Sequence, residues 1–103
     1  MSDVNQEALP AGAHVEIYTW RYCSYCMAAK RLLRNKGVAF VEYAIDGDDE
    51  ARDAMAQRAG GRFTVPQIFI NGRAIGGYAD LQRLENAGQL DGLLGVPPAV
   101  SEP

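Results

Sequence analysis

Residues 15 to 26 read Val-Glu-Ile-Tyr-Thr-Trp-Arg-Tyr-Cys-Ser-Tyr-Cys, and this stretch decides the fold. Val15 to Thr19 is short and rich in β-branched residues, which marks a strand. Cys26, Ala29, Leu32 and Leu33 then recur at helical spacing. Lys30, Arg31 and Arg34 fall on the other faces, and Gly37 supplies the stop. Cys23 and Cys26 therefore sit where a strand hands over to a helix.

Downstream the pattern keeps alternating. Val38 to Ile45 is mostly apolar, as expected of a buried strand. Asp46-Gly47-Asp48-Asp49 is a turn leading into an acidic helix start, and Ala51, Ala54, Met55 and Ala59 carry that helix to Gly60-Gly61. Val65 to Ile70 reads as a strand, joined by the hairpin signal Asn71-Gly72 to a partner at Arg73 to Ile75. Gly76-Gly77 precedes a helix with Leu81 and Leu84 on one face, ending near Gly88. Leu90, Leu93 and Leu94 predict a closing helical turn. The order β-α-β-α-β-β-α predicts an α/β domain with a mixed four-stranded sheet flanked by helices. Its first crossover is parallel and right-handed, and its last pair is an antiparallel hairpin. This is the thioredoxin-like arrangement.

Composition narrows the function classes. The chain has 103 residues, 48% of them hydrophobic and 22% charged, which suits one globular domain. Residues 14–94 form the expected domain, with 1–13 and 95–103 as flexible termini. A net charge of −3 argues against a broad nucleic-acid surface. Two cysteines and one histidine cannot complete a four-ligand zinc site in one chain, nor staple a mini-protein. His14 has no partner visible in the sequence and is read as structural or exposed. The start MSDVNQEALPAGA has neither a basic region nor an apolar run, and no stretch approaches membrane-spanning length. The expected compartment is the cytoplasm, with no membrane partner. A C-x-x-C there is redox-active or metal-binding rather than a staple.

At a helix N-terminus the Cys23 sulfur would meet unpaired backbone N–H groups and the positive end of the helix dipole, which favour the thiolate. Arg21 adds positive charge two residues earlier. Cys26, one turn on, is placed to attack a mixed disulfide formed on Cys23. From the residues alone Pro66 could be an ordinary edge-strand proline, Asp80 a helix N-cap and Tyr25 a rim tyrosine.

Tyr22-Cys23-Ser24-Tyr25-Cys26, Thr64-Val65-Pro66 and Gly76-Gly77-Tyr78-Ala79-Asp80 together resemble the dithiol class of glutaredoxins. Val65 to Gly72 followed by Ile75-Gly76-Gly77 is particularly similar to bacterial and cyanobacterial members. The resemblance spans about residues 15 to 94. It implies a glutathione-dependent thiol–disulfide oxidoreductase that reduces protein disulfides and glutathione mixed disulfides. Cys23 would be the nucleophile and Cys26 the resolving thiol, needed for protein disulfides only. The bond before Pro66 would be cis, and the Val65 backbone would pair with the cysteinyl part of glutathione beside Thr64. Gly77, Tyr78, Ala79 and Asp80 would hold the γ-glutamyl end, with Tyr25 flanking the ligand. Arg62, or Gln57, would meet the glycyl carboxylate. The expected partners are glutathione and disulfide-bearing or glutathionylated proteins, with the enzyme acting as a monomer.

Three departures from the family pattern stand out. Ser24 replaces the usual proline between the cysteines, and some members with serine there assemble a [2Fe–2S] cluster across a glutathione-ligated dimer. Cys23 would be the metal ligand in such a dimer. Trp20 stands where many members carry lysine, so the glycyl contact must move, to Arg21 or Arg62, or be lost. Ala79 stands where close relatives have an acidic residue. An iron–sulfur carrier and a thioredoxin-type enzyme are the competing readings; Tyr22 and Ser24-Tyr25 depart from the W-C-G-P-C site of the latter.

Overall fold

The structure, a computed structural model, describes residues 12–96. The chain runs β1 (Val15–Thr19), α1 (Ser24–Asn35), β2 (Val41–Ala44), α2 (Asp49–Arg58), β3 (Gln67–Ile70), β4 (Arg73–Gly76), α3 (Tyr78–Asn86) and α4 (Leu90–Leu94). The sheet order is β2-β1-β3-β4. β1 pairs parallel with β2, while β3 runs antiparallel to both β1 and β4.

The alternation of β1 explains the layers. Val15 and Ile17 point into one core, where Ala29 and Leu33 of α1, Leu81 of α3 and Leu90 and Leu94 of α4 pack. Tyr18 points to the other face, where Met55 and Ala59 of α2 meet Phe69 and Ile45. Ile17, Leu33, Met55, Ile68, Phe69 and Leu81 are fully buried. Each such side chain contributes about 1.5–3 kcal/mol over its exposed state. With both faces covered, the central strands β1 and β3 lack the usual in–out alternation of polarity.

Even Glu16 is buried. Arg58 makes a two-pronged ion pair with it, at 2.8 and 3.1 Å, and the Tyr43 hydroxyl donates to it at 2.8 Å. Lys36, at the end of α1, bonds Glu85 of α3 and Asp91 of α4, each at 2.7 Å. That one ammonium ties together three helices.

Two expected elements differ in detail. The strand expected over Val38 to Ile45 is only Val41–Ala44, and it forms a sheet edge with Val41, Glu42 and Ala44 exposed. Its apolar flanks, Val38 and Ile45, dive into the two cores, so the run is apolar without being a buried strand. The strand expected from Val65 begins at Gln67, directly after Pro66, which has no N–H to give to the ladder. Asn71 and Gly72 both have positive φ, 53° and 80°, as a two-residue hairpin turn requires. The Asn71 side chain also accepts from the His14 N–H at 2.9 Å.

The segments 1–13 and 95–103, expected to be flexible, lie for the most part outside the described residues. Of the part described, the Ala13 N–H donates to the Leu94 carbonyl at 2.9 Å, and Ala13 and Val96 pack on the core.

Candidate active site

α1 begins at Cys23, which is its N-cap with extended backbone, φ −142° and ψ 107°. The Cys23 sulfur takes the role usually played by a serine or aspartate oxygen: it accepts from the Cys26 N–H at 3.2 Å. Both cysteines are free thiols, Cys23 half-buried and Cys26 buried at 1% exposure. The two are therefore unequal. Burial pushes the Cys26 thiol up to about 12, and its hydrogen bond with Cys23 pushes the same way. Cys23 offers its sulfur at the surface, with the helix N-terminus behind it.

The second and third motifs meet each other: a Cβ at Gly77 would fall 3.4 Å from the Pro66 carbonyl oxygen. Val65–Pro66 is cis, as the resemblance implied. Among the described residues the Val65 backbone makes no hydrogen bond, so its N–H and C=O are open to an extended ligand. The Gln67 amide donates to the Thr64 hydroxyl at 3.2 Å and braces this loop from the buried side. β4 then leads through Gly76-Gly77 into α3. Gly76 has φ +116°, and a Cβ there would fall 2.2 Å from an Asp80 carboxylate oxygen. Only glycine fits.

Asp80 is the third residue of α3 rather than its N-cap, which is Gly77. Its carboxylate reaches back to accept from the Gly77 N–H at 2.9 Å. Arg62 and Arg83 also donate to it, at 3.3 and 3.0 Å. The Gly77 N–H and the two guanidiniums hold the Asp80 carboxyl below the usual carboxylate range.

Arg62, expected to meet the glycyl carboxylate, lies beside Gly76 and Asp80. Tyr25 is 66% exposed and stacks on Tyr78, with centroids 6.1 Å apart and planes at 26°. Ala79 is exposed on the first turn of α3. Gln57, the alternative to Arg62, is exposed on α2. The Arg21 N–H is held by both Asp46 carboxylate oxygens, at 3.0 and 2.8 Å.

Sequence reasoning missed Arg52. It lines a cleft of about 340 Å³ together with Trp20, Ile45 and the Asp46 to Asp49 turn. Its guanidinium lies 5.0 Å from the centre of the Phe63 ring, beside the Thr64 loop. Nothing in the local sequence pairs Arg52 with Trp20, because β1 and α2 are brought together only by the sheet.

A glutaredoxin family model matches residues 15–75. Over 86 residues the chain is 62% identical to a probable glutaredoxin of Synechocystis, covering 84% of this chain and 79% of that relative. The chain belongs to the glutaredoxin family. This glutaredoxin is also 54% identical over 82 residues to glutaredoxin 3 of Escherichia coli, covering 80% and 98% of the two chains. The solution structure of a Brucella melitensis glutaredoxin superimposes with a TM-score of 0.73 at 41% identity, covering 89% and 99%. The crystal structure of a buckwheat glutaredoxin–glutathione complex gives 0.74 at 28% identity, covering 81% and 77%. The fold and dithiol class expected from the three motifs are thus borne out, and the protein is a glutathione-dependent thiol–disulfide oxidoreductase. No helix among the described residues is long and apolar enough to cross a membrane. Nor does any group of three or more His, Cys, Asp or Glu residues there form a set that could hold a metal ion. With Cys26 buried, one chain offers a [2Fe–2S] cluster only the Cys23 sulfur.

Proposed function

We propose that residues 14–94 act as a monomeric cytoplasmic unit and that glutathione lies along the groove from the Trp20 cleft, past Cys23 and Val65, to Gly77 and Asp80. The observation that carries this reading is the inequality of the thiols, Cys23 accessible and Cys26 buried. The Cys23 thiolate attacks the glutathionyl sulfur of a mixed disulfide, and the protein thiolate leaves. A second glutathione then attacks and frees Cys23 as glutathione disulfide departs. With a protein disulfide, Cys26 attacks the Cys23 mixed disulfide instead. Each step is a thiol–disulfide exchange that conserves sulfur–sulfur bonds.

The Val65 backbone pairs with the cysteinyl unit beside Thr64 and the cis Pro66. The Tyr78 and Ala79 N–H groups at the start of α3 receive the γ-glutamyl carboxylate, as a helix N-terminus does for an anion, beside Gly77, whose own N–H is held by Asp80. Asp80 takes the ammonium, exchanging part of its pairing with Arg62, which then faces the same carboxylate. Tyr25 walls the ligand. Arg52, across the Trp20 cleft, is the cation for the glycyl carboxylate, in place of the lysine that Trp20 displaces.

The test is NADPH-coupled reduction of a glutathionylated peptide in the presence of glutathione and glutathione reductase. Turnover lost in Cys23→Ser and retained in Cys26→Ser supports the reading. Turnover surviving Cys23→Ser overturns it.

A further inference from the structure

Lys30 lies four residues after Cys26 on α1, so the two side chains leave the helix on one face, with Cβ atoms about 5–6 Å apart. Its ammonium is anchored. Glu42 of the edge strand β2 accepts from Lys30 Nζ at 2.9 Å, and the same Glu42 oxygen accepts from the Thr19 hydroxyl. Thr19 is the last residue of β1 and is fully buried. The Lys30 side chain is only 19% exposed, so its charge is incompletely screened by water.

We propose that Lys30, held in place by Glu42 and Thr19, is a positioning residue for the resolving step, stabilising negative charge on the Cys26 sulfur as it attacks the mixed disulfide on Cys23. In that step the Cys26 sulfur forms a bond to the Cys23 sulfur, and the bond from Cys23 to the substrate sulfur breaks. The departing thiolate takes up the proton that Cys26 gave up. The inference rests on the dithiol route described above. That route asks a buried thiol to become the nucleophile, and burial opposes it. Lys30 and the Trp20 backbone act the other way.

The charged and titratable groups around the pair are Cys23 and Arg34 on α1 and Glu42 on β2. α3, which also packs on α1, turns its charges elsewhere: Asp80 to Arg62 and Arg83, and Glu85 to Lys36. Lys30 is thus a cation one turn from Cys26 on the same helix face, and Glu42 partly neutralises it.

The two partners should then act with opposite sign, which a merely structural ion pair would not do. The experiment compares, for each variant, turnover of a protein disulfide with turnover of a glutathionylated peptide, the second needing only Cys23. Lys30→Met should lower the protein-disulfide rate about five- to tenfold and leave the peptide rate within twofold. Lys30→Arg should restore most of the loss. Glu42→Gln, which leaves the ammonium uncompensated, should raise the protein-disulfide rate two- to fivefold, most clearly below pH 8. An unchanged ratio of the two rates in Lys30→Met overturns the proposal. So does a fall of that ratio in Glu42→Gln, since both variants would then only loosen the α1–β2 contact. If the wild type fails to turn over the glutathionylated peptide, the parent reading fails instead.

Discussion

The Cys26 N–H donates to the Cys23 sulfur at 3.2 Å, so the nucleophile is itself the cap of the helix that carries its partner. One hydrogen bond thereby ties the Cys23 side chain to the first turn of the helix and points a backbone dipole at the reacting sulfur. It also places Cys23 outside the helix and Cys26 inside it, which is why one is accessible and the other buried.

Cys26→Ser should keep glutathionylated-peptide turnover within about twofold while reducing protein-disulfide turnover at least tenfold. The serine loses the resolving sulfur, but its N–H still caps onto Cys23. Steady-state kinetics on the two substrates checks this. Equal losses on both would show that Cys26 serves the monothiol route as well.

Alkaline stability should depend on Cys26. Its pKa is raised on folding, so both states carry the proton below about 9 and no stability is lost there. Between about 9 and about 12 the unfolded chain ionises while the buried thiol does not, and stability falls as pH rises. Urea unfolding of the reduced protein should show this decline, and Cys26→Ala should flatten it relative to wild type.

Gly76→Ala should impair both stability and ligand binding. Besides the strain of φ +116°, the new Cβ would drive Asp80 and Arg62 away from Gly77. Backbone strain alone costs about 1–3 kcal/mol. Thermal unfolding should register that loss, and the KM for the glutathionylated peptide should rise. An alanine variant with wild-type Tm and KM would contradict the packing around Gly76.

Asp80→Asn should raise the KM for glutathione about tenfold, with a smaller effect on kcat. It removes the charge proposed to meet the ammonium and leaves Arg62 and Arg83 without their shared anion. A tenfold change corresponds to about 1.4 kcal/mol, close to one charge-assisted hydrogen bond. Titration calorimetry with glutathione disulfide on Cys26→Ser and on its Asp80→Asn derivative provides an independent check.

Trp20 should report the redox state. It is 43% exposed, three residues before Cys23, and its backbone interacts with Cys26. Closing the Cys23–Cys26 bond should change its fluorescence intensity or wavelength. An emission spectrum identical in both states would mean that the Trp20 loop is uncoupled from the dithiol.

The local sequence determined the elements and the chemistry. Val15 to Thr19 followed by the C-x-x-C helix, the Asn71-Gly72 turn and the Gly76-Gly77 helix start each rest on interactions within a few residues. Strand propensity, capping and turn conformation therefore reveal them without knowledge of the fold. The inequality of Cys23 and Cys26 was legible for the same reason, since three residues at a helix start place one thiol out and the other in.

Tertiary structure decided what distant segments do to one another. Val38 to Ile45 looked buried because its flanks are, yet only the sheet order makes β2 an edge. Arg62 was read from its nearness to Thr64, and only the fold shows that Asp80, 18 residues on, pairs with it. Arg52 beside Trp20, and Glu42 linking Lys30 to Thr19, join residues whose sequence carries no mutual signal. Such pairings depend on where β1, β2, α1 and α2 come to lie. That placement is set by burying two apolar faces of one sheet, a property of the whole chain rather than of any window within it.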